Sequence, residues 1–199
     1  MHVRDILKKG EFEKLTQFDP KEIDWLDKRI EMRSDGKPGV ICVLRGKKDD
    51  LFELTPEEIV RQLYAHRLIE AYGYQKKQMA FEVPVAYAGK QVINDKRIDI
   101  VLYADEYQKD IKLLIELKRP SIEDPNAVYE DEASTPLQQL QSYCKQMQPA
   151  IGILANGGNL LQFYAAPKFD TELVVDHFPE AKEDINDWKK NGSITKSVG

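Results

Sequence analysis

Apolar and polar residues fall in blocks along this chain, and the blocks mark out its elements. Lys21 to Ile30 carries a short helical pattern behind Pro20, and Ser34-Asp35-Gly36 signals a turn. The apolar run Val40 to Leu44 (VICVL) reads as a buried strand. Thr55-Pro56-Glu57-Glu58 opens a strong helix, with Thr55 as N-cap, Pro56 at the first helical position and Glu58 completing a capping box. Val60, Leu63, Tyr64, Leu68 and Ala71 form its apolar stripe, and Gly73 ends it. Extended segments follow. Met79 to Tyr87 is a strand whose Pro84 favours an edge or a bulge. Arg97 to Tyr103 and Ile111 to Lys118, joined by a charged turn, predict an antiparallel pair. After a polar, acidic loop from Arg119 to Ser134, Thr135-Pro136-x-Gln138 caps a second helix that runs to Met147. Ala150 to Leu154 is continuously apolar, as in a strand buried on both faces, and Asn156-Gly157-Gly158-Asn159 turns it into Leu160 to Ala165. Ala181 to Lys190 predicts a short helix before a frayed tail ending NGSITKSVG. The order helix, three strands, helix, two strands argues for an α/β fold, a mixed β-sheet flanked by helices.

Composition narrows the class. A chain of 199 residues suits one domain with appendages. Charged residues at 32% and hydrophobic residues at 42% are ordinary for a soluble globular protein. No apolar run approaches the roughly 20 residues that span a bilayer, and the N-terminus lacks the apolar core of a signal peptide, so no membrane partner is expected. Cys42 and Cys144 are the only cysteines, which argues against a disulfide scaffold and for a reducing cytoplasm. With His2, His66 and His177 scattered and no CxxC pair, a structural zinc site has no support. The net charge of −5 runs against unaided binding to nucleic acid, since the basic residues form only small pairs such as Lys47-Lys48, Lys76-Lys77 and Lys189-Lys190.

The chemistry concentrates between Arg97 and Arg119. Asp99 stands early in one apolar run, and Glu116 and Lys118 stand at the end of the next. Acidic residues and a lysine inside apolar strands are costly to bury unless paired. Singly, each residue fits a blander account. Asp99, between Ile98 and Ile100, suits a strand with one wet face, and Glu116 and Lys118, two apart on one face, suit an exposed paired strand end. Together they form the pattern D…ExK, two carboxylates for a divalent cation and a lysine for developing negative charge. Glu70, seven residues after Leu63 and near its angular position, is a candidate to reach the same site. Gln139 and Tyr143, four apart on the second helix, could hydrogen-bond the lysine or a phosphate, with Gln138 and Gln141 as weaker rivals.

On PEEIVRQLYAHRLIEAYGY, FEVPV, RIDIVLY, LLIELKRP, QQLQSY and AIGILANGGNLLQFY, the sequence resembles the N-terminal nuclease domain of the type I restriction enzyme R subunit, within the PD-(D/E)xK superfamily. The pieces cover residues 55–166 and arrive in the family's order, and Gln139-x-x-x-Tyr143 matches the family's QxxxY element. The resemblance implies a restriction-endonuclease-like core at 55–166. Residues 1–54 would be an N-terminal extension packing on it, and 167–199 a C-terminal strand, helix and tail. It implies Mg²⁺-dependent hydrolysis of double-stranded DNA, with Mn²⁺ as a substitute and with motor, specificity or methylase subunits as partners. Asp99, Glu116 and the Leu117 carbonyl would hold the metal, and Lys118 would orient the attacking water or stabilise the transition state. Glu70 would assist the metal or its water, and Gln139 and Tyr143 would support Lys118 or the DNA backbone. The sequence has no G-x-x-x-x-G-K-[ST] loop, so it is not expected to power translocation and reads as either an excised domain or a small stand-alone relative. Two other readings stay open at this point: a non-catalytic DNA-binding or docking module, and the nuclease domain of a fused restriction–methylase.

Overall fold

The computed structural model describes residues 1–8, 10–46, 51–85, 96–130, 133–175, 177–191 and 193–194. In chain order its elements are α1 (Val3–Ile6), α2 (Pro20–Asp27), β1 (Ile30–Met32), β2 (Pro38–Ile41), β3 (Leu51–Glu53), α3 (Pro56–Glu70), β4 (Met79–Pro84), β5 (Arg97–Tyr103) and β6 (Ile111–Leu117). Then come α4 (Pro136–Met147), β7 (Ile151–Ala155), β8 (Leu161–Ala165), β9 (Glu172–Val174), α5 (Ile185–Asn191) and β10 (Ser193–Ile194). The pair Lys47-Lys48, the last two residues of the strand predicted to Tyr87, and most of the predicted tail lie outside the described residues.

Seven strands form one sheet in the order β10-β9-β8-β7-β6-β5-β4, and β1-β2-β3 form a small separate sheet. All pairings in the large sheet are antiparallel except β6–β7, which is parallel. A parallel pair needs a crossover, and α4 supplies it. The α/β architecture with a mixed sheet is therefore the one the periodicity predicts. Pro84, which cannot complete a ladder, lies at the end of the edge strand β4, where its missing donor costs least.

Alternation along the central strands feeds two cores. Ile100, Leu102, Leu113, Ile115, Ile151 and Ile153 pack with the α3 residues Ile59, Val60, Leu63 and Tyr64. Val101, Leu114, Leu154 and Tyr164 pack on the other face with Leu137, Leu140 and Cys144 of α4. Gly152 lets α4 approach β7, because a Cβ there would overlap Cys144 Sγ. The flanking segments join the first core. Phe178 and Trp188 stack edge-on to Phe163 at 5.4 and 5.6 Å, and the buried Lys112 donates to the carbonyls of Glu180, Ala181 and Glu183 at 2.8–3.0 Å. Ahead of α2, Gln17 donates its backbone N–H to Gly157 O, and the Tyr64 hydroxyl donates to Gln17 Oε1. Among the described residues no helix is long and apolar enough to cross a membrane.

Several local expectations are corrected. The helix predicted to Ile30 stops at Asp27, since Ile30 enters β1. The strand predicted over 40–44 ends at Ile41 and belongs to the small sheet, because the chain folds back through the Gly46 N–H to Cys42 O bond. Ala71 is the exposed C-cap of α3 and no part of an apolar stripe. The cap of α3 is half of what was predicted. Thr55 accepts from the Glu58 N–H at 3.1 Å, but the Glu58 side chain turns inward and does not reach back to Thr55.

Gly152→Ala is expected to destabilise the protein by about 1–3 kcal/mol, the usual cost of overpacking a tight core. Adding Cys144→Ala should recover most of that loss by clearing the volume the methyl needs. Urea unfolding of the two single variants and the double variant measures the coupling, and strictly additive losses would show that the helix does not bear on Gly152.

Candidate active site

The pairing of β5 with β6 runs from Tyr103↔Ile111 to Ile100↔Ile115, and beyond Ile100 a side chain takes over from the backbone. Asp99 Oδ2 accepts the Leu117 N–H at 2.7 Å, which ties the start of β5 to the end of β6. The β6–β7 ladder continues one residue further on the other side, with the Lys118 N–H donating to Ala155 O at 2.9 Å. Asp99, Glu116 and Lys118 are 6%, 2% and 8% exposed, so neither a wet strand face nor an exposed strand end accounts for them.

Lys118 Nζ donates to Glu116 Oε1 at 3.1 Å and to Gln139 Oε1 at 2.8 Å. Gln139 Nε2 then donates to the Tyr143 hydroxyl at 2.8 Å. Two elements thus converge on the lysine: β6 brings Glu116 and α4 brings Gln139, whose amide is oriented by Tyr143 one turn along the same helix. The rivals are engaged elsewhere. Gln138 accepts the Thr135 N–H at the helix cap, and Gln141 donates to Phe169 O. Burial, and next the charge of Glu116, pushes the Tyr143 phenol up to about 12, which keeps it neutral and able to hydrogen-bond.

Glu70 does not join this group. It is exposed on the last turn of α3, 12 residues past the glutamate that does join, and at 1.5 Å rise per residue that is about 18 Å along the axis. Angular position put Glu70 near the right face, but axial position takes it to the wrong end of the helix. The first turns of α3 supply Glu58 and Arg61 instead. Arg61 Nη2 donates to Asp99 Oδ1 and Nη1 to Glu58 Oε2, each at 2.5 Å, with Glu82 Oε1 at 3.4 Å. Gln62 Nε2 donates to the other Glu58 oxygen at 2.7 Å. None of Glu58, Arg61 and Glu82 stood out in the sequence. Glu58 was hidden by its fit to a capping box, and the Glu58/Arg61 spacing of three was the one available signal.

Four carboxylates, Glu58, Glu82, Asp99 and Glu116, therefore face two cations, Arg61 and Lys118. Burial, and then the neighbouring charge of Asp99, raises the Glu116 carboxyl well above the usual range, and Lys118 only partly offsets it. Burial likewise raises Glu58 against the pull of Arg61. Burial opposes the charge on Arg61, but Asp99 and Glu58 outweigh it and hold the guanidinium ionised. Glu116 Oε2 is buried with no hydrogen-bond partner. An orphaned carboxylate oxygen beside a second carboxylate has the chemistry of a hard-cation ligand, and Mg²⁺ commonly takes one or two carboxylates with water completing its shell. Among the described residues, however, no three His, Cys, Asp or Glu side chains stand arranged to hold a metal ion. Next to Lys118 and Gln139 opens a cavity of about 410 Å³, lined also by Lys8, Glu57, Arg119 and Tyr129.

Residues 56–179 match the family model of the type I restriction enzyme R protein N terminus. A search of curated proteins finds no match to the chain.

The raised Glu116 and Glu58 carboxyls fix the sign of a pH dependence. Above the ordinary value of 4.5 the unfolded chain loses protons that the native site still holds, so native protein binds more protons. Stability of metal-free protein should fall as pH rises from 4.5 through the raised values. Glu116→Gln should flatten that slope and raise stability at neutral pH. Urea unfolding in EDTA across this range checks it, and an unchanged slope in Glu116→Gln would remove Glu116 as a source.

Proposed function

The chain belongs to the family of type I restriction enzyme R protein N termini, and on that premise we propose that it is the Mg²⁺-dependent DNA endonuclease domain of a restriction–modification complex. In this reading the core is restriction-endonuclease-like. The observation that carries it is the buried cluster at the β5–β6 end, where Glu116 Oε2 lacks a partner beside Asp99 and where Lys118 is fixed by Gln139. Asp99, Glu116 and the Leu117 carbonyl are the proposed metal ligands, and Glu58 takes the assisting place first given to Glu70. When bound, Mg²⁺ or Mn²⁺ would acidify a water and neutralise charge on the phosphate.

The chain's own residues do the rest. Asp99, held by the Leu117 N–H, fixes where the two carboxylates meet. Lys118, held by Glu116 and Gln139, lines the adjoining cavity, where a scissile phosphate would gain negative charge. Gln139 and Tyr143 are positioning residues that keep the lysine from folding away. A net charge of −5 and the absence of a P-loop suit a domain to which DNA is delivered by partner subunits. The alternative, a non-catalytic DNA-binding or docking module, is favoured by one observation, that Asp99 already carries an ion pair to Arg61.

Lys118→Ala separates the two. In the assembled restriction complex, Mg²⁺-dependent plasmid cleavage should drop by about a hundredfold or more, the loss typical of one transition-state charge donor, while folding and metal binding persist. Asp99→Ala should abolish cleavage and metal binding together. Wild-type cleavage by Lys118→Ala would favour the docking module.

A further inference from the structure

Arg61 is a third-helix arginine folded into the centre of an acidic site, and its placement has a cost. Its Nη groups bridge Asp99 and Glu58 at 2.5 Å each, and its Nε is buried without a partner. It is 8% exposed, so water does little to solvate it. Both oxygens of Asp99 are engaged, Oδ1 by Arg61 and Oδ2 by the Leu117 N–H. On the other side of the cluster Glu116 Oε2 has no donor at all. Arg61 thus balances one end of the carboxylate group and leaves the other unbalanced.

We propose that Arg61 is a tethered competitor of the metal: its guanidinium neutralises Asp99 and Glu58 in the metal-free protein and must leave Asp99 when a divalent cation binds. The inference rests on the metal reading of the site. A guanidinium and a divalent cation cannot both lie against Asp99 Oδ1, because two positive charges at contact in a buried site repel strongly. This accounts for the absence of a three-carboxylate arrangement among the described residues although four carboxylates surround the spot. The release route is present. Glu82 Oε1 lies 3.4 Å from Arg61 Nη1, on the edge strand β4, and its side chain is 44% exposed. The guanidinium can keep Glu58 and turn toward Glu82, giving up Asp99 while remaining paired. Arg61 is then a positioning residue that sets how tightly the cluster takes its cation, and it needs no contact with the reacting atoms.

The test is divalent-cation binding by the purified chain without DNA. Isothermal titration with Mg²⁺ and Mn²⁺ is run on wild type, Arg61→Gln, Lys118→Gln and Asp99→Asn. Lys118→Gln reports the general effect of removing a nearby positive charge. Arg61→Gln should bind about tenfold tighter than Lys118→Gln or more, in line with the weakest couplings found for close charge pairs. It should also be less stable than wild type in EDTA and regain that stability in Mg²⁺, whereas Asp99→Asn should not bind. Should Arg61→Gln fail to fold, NMR of the wild type replaces it. The Arg61 Nε–H resonance should shift, and rotation about its Nε–Cζ bond should quicken, as Mg²⁺ saturates the site. Arg61→Gln binding no tighter than Lys118→Gln, or an Arg61 resonance unmoved while Mg²⁺ binds, overturns the competitor role and leaves the metal site standing. Absence of binding in wild type and Arg61→Gln alike overturns the metal reading itself, and the competitor role with it.

Discussion

Burying carboxylates in the end of an apolar sheet is the constraint around which this protein is arranged. β5 and β6 are apolar on both faces, and Asp99 and Glu116 enter that environment with almost no exposure. An isolated carboxylate there would be strongly disfavoured, so each must find a donor or hold its proton. Asp99 receives two donors, Arg61 from α3 and the Leu117 N–H from β6. Glu116 receives one, from Lys118, and its other oxygen is left without one. Burial, and then the charge of Asp99, leaves the Glu116 carboxyl raised, with Lys118 as only a partial offset. Structures tend to keep such an unmet demand where a ligand is to meet it.

The same demand places the two large helices. α3 runs its first turns against the carboxylates, where Glu58, Arg61 and Gln62 form a buried network, and ends, past the buried Leu68, at the exposed Glu70. α4 is the crossover of the parallel β6–β7 pair, and the close approach at Gly152 sets it where Gln139 meets Lys118. The segment after Lys118 is fixed from the far side. Buried Asn156 donates to Ile122 O at 2.7 Å and accepts from the Gly158 and Leu160 N–H groups. The turn between β7 and β8 therefore holds the chain that leaves the site, and the N-terminal segment closes over that turn through Gln17.

The counter-ion role proposed for Arg61 reconciles two observations that otherwise conflict. The family membership and the D…ExK residues point to metal-dependent chemistry, whereas the ion pair between Arg61 and Asp99 describes a closed site. If the arginine gives way to the cation, the closed arrangement is the resting form of the open one. A cluster of carboxylates left wholly uncompensated would repel itself and weaken the fold. Arg61 and Lys118 limit that repulsion without abolishing it.

What the sequence determined by itself was whatever depends on near neighbours. The apolar runs in RIDIVLY and KLLIEL predict strands, Thr55-Pro56 and Thr135-Pro136 predict helix starts, and the two-residue and four-residue spacings predict that Glu116 lies near Lys118 and Gln139 near Tyr143. Those are one-dimensional periodicities, and the backbone alone enforces them. Only the tertiary structure decided which end of α3 meets the carboxylates. Glu58 and Glu70 are both glutamates on one helix, and nothing local tells which is buried. Their axial separation matters only once β5 and β6 fix where the site is. Nor could local pattern reveal that Arg61 would reach Asp99, 38 residues later, or that Glu58 would forsake its cap for that network. Charges pair through space at energies set by burial, and burial is a property of the whole packed fold.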